Sequence, residues 1–87
     1  MTSMRSAIEI SMYPLSGDYL PLIQAFIDRL NTYPDLVVRT NTLSTQIWGE
    51  LGHVMNVLSK EIERSAAAAR QLVFVLKVLP GLMPPAA

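Results

Sequence analysis

The chain has 87 residues, of which 51% are hydrophobic and 16% charged, with seven basic and seven acidic side chains and a formal net charge of zero. A chain of this length makes one domain that buries a modest share of its surface, and the lack of a basic excess excludes the electrostatic footprint of a nucleic-acid binder. The absence of cysteine and the single histidine exclude disulfide frameworks, thiol nucleophiles, thiolate metal sites and a zinc cluster together.

Residues Arg5 to Tyr13 alternate, with Ile8, Ile10 and Met12 on one side and Glu9, Ser11 and Tyr13 on the other, the period of a half-buried strand. This is not a signal-peptide core, and no apolar run approaches the ~20 residues of a membrane span, so a cytoplasmic protein without membrane insertion is expected. Pro14 and Gly17 end the strand. Asp18 caps a helix with the apolar stripe Leu20, Ile23, Phe26, Ile27 and Leu30, and Pro21 falls harmlessly in its first turn.

Leu36 to Thr40 is a β-branched run, and Asn41-Thr42 joins it as a hairpin to a strand from Leu43 to Trp48. From about Glu50 a second helix places Leu51, Val54, Met55, Leu58 and Ile62 on one face and ends near Ala66 to Ala69. Leu72 to Leu79 reads as the last strand, followed by a flexible proline-rich tail over residues 80–87.

The order is β-α-β-β-α-β, which predicts an α+β fold over residues 1–79: a ferredoxin-like sandwich with a four-stranded antiparallel-type sheet and two helices on one face. Right-handed crossovers are expected to set strands one and three side by side and parallel, bringing Tyr13 near Glu50 and sending Thr40 to the opposite edge. The uncovered face would carry Glu9, Ser11, Tyr13, Val37, Arg39, Ser44, Gln46, Trp48, Val73, Val75 and Lys77. Such a face is too apolar for a monomer, so a sheet-to-sheet or edge-to-edge homo-oligomer, dimer or tetramer, is expected.

The inventory for catalysis is thin. His53 reads as a half-buried or solvent-facing structural histidine, and Ser11 and Ser44 have no base at recognisable spacing, so no catalytic residue, metal or cofactor is assigned. Glu9 and Lys77 read as a cross-strand ion pair. Tyr13 and Trp48 suit either interface packing or stacking on a flat heterocycle, and Glu50 suits the positive end of the second helix. Thr45 has the parity of a buried hydroxyl, which needs either a backbone carbonyl or a ligand as its partner.

The pattern Ser11-x-Tyr13-Pro14-Leu15, then Asp18-Tyr19, Thr40, Ser44-Thr45, Gly49 and His53-Val54, resembles the thiamine/hydroxymethylpyrimidine-binding family of YkoF-like proteins over residues 8 to 60. The resemblance implies a ferredoxin-like fold and non-catalytic binding of thiamine or its pyrimidine moiety. Ser11, Tyr13, Thr40, Ser44 and Thr45 are the ligand-binding candidates that carry over by position. Hydroxyls match the donors and acceptors of an aminopyrimidine, and Trp48 and Glu50 are added as partners for a thiazolium cation. YkoF-type proteins carry two such domains in tandem where this chain has one, so pairing falls to a second copy. Two other functions fit the residues less well: an interaction module whose polar strand residues set subunit register, and a small dimeric isomerase or oxygenase.

Overall fold

The computed structural model describes residues 4–15, 19–41, 44–68, 71–82 and 84. The elements follow the expected order: β1 (Arg5–Pro14), α1 (Tyr19–Leu30), β2 (Val37–Thr40), β3 (Thr45–Glu50), α2 (Leu51–Ala68) and β4 (Leu72–Pro80). The strands form one sheet in the order β2-β3-β1-β4. Asp18, expected to cap α1, Thr42, expected in the hairpin turn, and Leu43, expected to open the third strand, lie outside the described residues.

One expectation is overturned. β1 and β3 are neighbours but antiparallel, with Arg5 opposite Glu50 and Ile10 opposite Thr45. The right-handed crossover through α1 makes β2 parallel to β1, and the tight β2–β3 hairpin then turns β3 back against both. Tyr13 therefore lies far from Glu50, at the end of the sheet where Thr40 and Thr45 pair. β3 also starts two positions later than expected, at Thr45, and β4 runs on through Pro80. Pro80 is tolerated because β4 is an edge strand, and the turn closes as Gly81 (φ 85°) donates its N–H to the Arg5 carbonyl at 2.6 Å.

The helices cover the face carrying Ile8, Ile10 and Ile47, which pack with Phe26, Leu30, Leu36, Val54, Val57 and Leu58 in one core. On α2 the inward stripe is Val54, Val57, Leu58, Glu61 and Ser65, rotated from the expected one so that Met55 is exposed. The rotation buries Glu61, which accepts from Arg29 Nε at 2.6 Å and from the Tyr33 hydroxyl at 2.6 Å. Arg29 also reaches the Ser65 hydroxyl at 2.7 Å, so a polar clamp joins α1, the loop after it and α2.

Where β3 meets α2 the backbone passes close under the helix layer. A Cβ on Gly49 would stand 2.7 Å from Leu36 Cδ2 and 2.9 Å from Val54 Cγ2, both in the core. Gly49→Ala is expected to cost about 1–3 kcal/mol of stability by overpacking, read from the urea midpoint at unchanged slope. An unchanged midpoint would show that this junction has slack.

Candidate functional site

β1 outruns β3. Its pairing with β3 stops at Ile10, and from Ser11 to Pro14 its register partners are those of β4. The β2–β3 hairpin ends level with this overhang, and α1 passes beneath. A notch of about 210 Å³ results. Its floor is Ile23, Phe26 and Ile27 of α1, with Ile10 and Met12 beside them. Ser11 and Tyr13 form one wall, and Thr40, Asn41, Ser44 and Thr45 form the other.

The second wall is held by its own hydrogen bonds. Asn41 N–H donates to the Ser44 carbonyl at 3.0 Å, and Ser44 N–H donates to Asn41 Oδ1 at 2.9 Å. The Thr40 and Thr45 hydroxyls lie 3.2 Å apart as a hydrogen-bonded pair across β2 and β3. The buried Thr45 hydroxyl thus has a side-chain partner in Thr40, beside the backbone carbonyl or ligand expected for it. Each threonine hydroxyl keeps further donor or acceptor capacity after this one bond.

Five of the seven candidates from the sequence, Ser11, Tyr13, Thr40, Ser44 and Thr45, are therefore brought onto one cavity. The antiparallel β1–β3 pairing is what unites them, because parallel strands would have spread them across the sheet. Among the described lining residues none is charged, and apolar ring-sized floor meets hydroxyl and amide walls. Such a lining grips a small, flat, largely uncharged ring carrying hydrogen-bonding edges.

Trp48 and Glu50 do not join them. Trp48 lines a second cavity of about 320 Å³ on the uncovered face with Glu9, Gln46, Lys77 and Leu79, and it is buried to 6% exposure. Glu50 caps α2, accepting from Gly52 N–H at 2.6 Å and His53 N–H at 3.1 Å. His53 is half-buried, with Nε2 2.8 Å from Asp35 Oδ2, and it stands away from the notch. Asn41 was not among the sequence candidates. A turn asparagine directly before a hydroxyl-rich strand was its only signal, and that signal equally describes an ordinary hairpin.

The sequence profile of the YKOF-related family matches residues 5–78. No curated protein matches the chain. Solved structures share the fold: a Thermotoga maritima protein assigned provisionally to thiamine biosynthesis or salvage superposes with TM-score 0.79 at 16% identity, covering 86% of this chain and 82% of that one. Protein SP2199 of Streptococcus pneumoniae superposes with TM-score 0.80 at 21% identity over 86% and 84% of the two chains. The hypothetical protein MJ1052 of Methanocaldococcus jannascii does so with TM-score 0.75 at 22% identity over 85% and 77%.

Proposed function

Because the chain belongs to the YKOF-related family, we propose that its notch binds hydroxymethylpyrimidine, free or as the pyrimidine end of thiamine, without converting it chemically. The protein then acts as a carrier, a buffer or an accessory to vitamin uptake. The observation that carries this reading is the convergence of Ser11, Tyr13, Thr40, Ser44 and Thr45 on one uncharged cavity. At about 210 Å³ that cavity falls below the ~300–1,000 Å³ typical of drug-sized ligands and suits a single ring. The thiamine role given to the Thermotoga maritima protein agrees with this ligand class.

Isothermal titration with hydroxymethylpyrimidine, thiamine and thiamine phosphate tests the proposal. Saturable binding of the first two is expected. The phosphate ester should bind more weakly, since no cation lines the described wall to offset its charge. Absence of binding by all three would abandon the ligand and favour an interaction module. His53→Ala is expected to leave the affinity unchanged, because His53 is not on the notch.

The same reading makes the working form a homo-oligomer, dimer or tetramer. Tyr13, Val73, Val75 and Leu79 of the uncovered face are each more than 40% exposed, which a second copy would relieve. Sedimentation equilibrium at micromolar concentration is expected to give a multiple of 9.6 kDa, and a clean 9.6 kDa species throughout would refute the oligomer.

A further inference from the structure

The chain does not leave the sheet at the end of β4. Gly81 takes φ 85° with its N–H tied to the Arg5 carbonyl, and the next residue, Leu82, lines the Trp48 cavity together with Ala7 and Leu79. The turn therefore carries the backbone onto the uncovered face. Pro84, the one described residue past Leu82, is half-buried, so the chain still follows the protein surface at that point.

The cavity states what an occupant must bring. Ala7, Trp48, Leu79 and Leu82 make much of its lining apolar. Its charged lining residues, Glu9 and Lys77, stand 3.5 Å apart and offset each other, so no charge is asked of the occupant. Trp48 Nε1–H is buried and has no acceptor among the described residues, which leaves a costly donor to be satisfied.

We propose that residues 83–87, Met-Pro-Pro-Ala-Ala, dock in this cavity as an extended polyproline II segment, with one of their main-chain carbonyls accepting from the Trp48 indole N–H. The segment is uncharged, and Pro84 and Pro85 bring no N–H of their own to satisfy while their carbonyls remain acceptors. Proline rings pack on an aromatic face and the fixed φ lowers the entropy lost on ordering, the physics by which aromatic-lined grooves take proline-rich peptides. The reach suffices. Five residues at ~3.1 Å each span ~15 Å, whereas β4 and β3 are separated by β1 alone, two strand spacings or ~10 Å. The segment occupies the end of the face at Ala7 and Trp48 and leaves Tyr13, Val73 and Val75, at the other end, to a second copy. The inference does not rest on the pyrimidine reading, whose notch is lined by other residues.

The chain has no cysteine and one tryptophan, so each side of the contact can be read singly. A nitroxide on Ala86→Cys should broaden the amide resonances of Ala7, Gln46 and Trp48 and spare those of Tyr13 and Thr40. Deleting residues 83–87, beyond the last strand, should keep the fold by circular dichroism and speed hydrogen exchange of Trp48 Nε1–H about tenfold, the weight of one hydrogen bond. Replacing Pro84 and Pro85 together with glycine keeps the length and should give an intermediate rate, because the looser segment loses more entropy on docking. In a mixture of spin-labelled protein with unlabelled ¹⁵N protein, the resonances of the ¹⁵N protein should stay sharp. Broadening there would assign the segment to a partner copy and overturn docking within one chain. Absence of localised broadening, or indole exchange unchanged by the deletion, would overturn the proposal altogether.

Discussion

Replacing Arg29 with alanine is expected to destabilise the protein by about 2–4 kcal/mol at neutral pH, somewhat below the usual cost of breaking a buried pair because Arg29 is itself 28% exposed. The loss follows from what remains. Glu61, 1% exposed, would keep a carboxylate facing the core with Tyr33 and the more distant Arg64, at 3.7 Å, as its partners. For a chain of this size each kcal/mol moves the thermal midpoint by ~4–8 °C, so the change is large in a melting curve.

The effect depends on pH in a stated direction. Burial pushes the Glu61 carboxyl up, but hydrogen bonds from Tyr33 and Arg29 and the charges of Arg64 and Arg29 outweigh it and hold the group below its ordinary value of 4.5. A carboxyl lowered in the folded state contributes stability that is fully present above 4.5 and is lost as pH falls through the folded value. The gap between wild type and Arg29→Ala should therefore narrow in acid, where Glu61 is protonated in both. Urea titrations at neutral and acid pH would measure it, and a gap independent of pH would show that the clamp acts by packing alone. The Tyr33 hydroxyl, raised chiefly by its hydrogen bond to Glu61, stays protonated throughout this range.

The second large effect is on binding. Ser44→Ala with Thr45→Ala removes two hydroxyls from one wall of the notch and leaves ligand groups facing apolar carbon, at about 1–3 kcal/mol for each lost bond. Affinity for hydroxymethylpyrimidine should fall tenfold or more. Thr45 also bonds Thr40, so part of the loss reflects a loosened wall. Thr40→Val breaks the same bond from β2 and removes a third hydroxyl of the notch, so its affinity should fall as well. Unchanged affinity in the double variant would remove the hydroxyls from the site.

The six elements were legible because the alternation of β1, the apolar run of β4 and the stripe of α1 are each written in one local stretch. Strand direction is not local. Whether β3 runs with or against β1 depends on the hairpin reversing the course set by the first crossover, and that reversal decides which hydroxyls meet. The face of α2 was ambiguous for a related reason. Met55 and Val57 are both apolar, and the choice between them is made by Glu61 turning inward to Arg29, thirty-two positions earlier. A glutamate in a helix reads as solvent-facing until its partner is known. Trp48 and Glu50 were legible as unusual residues, and what each does locally, packing on the bare face and capping α2, became clear only with the register.

Mapping amide chemical shifts in a ¹⁵N-labelled sample during titration with hydroxymethylpyrimidine tests the site most directly. The account predicts saturable changes concentrated at Ile10 to Tyr13, Ile23 to Ile27 and Thr40 to Thr45, with Trp48, Glu50 and His53 nearly still. Changes centred on Trp48 or Glu50 would place the ligand at the other end of the sheet, and no change at saturating ligand would contradict the account altogether.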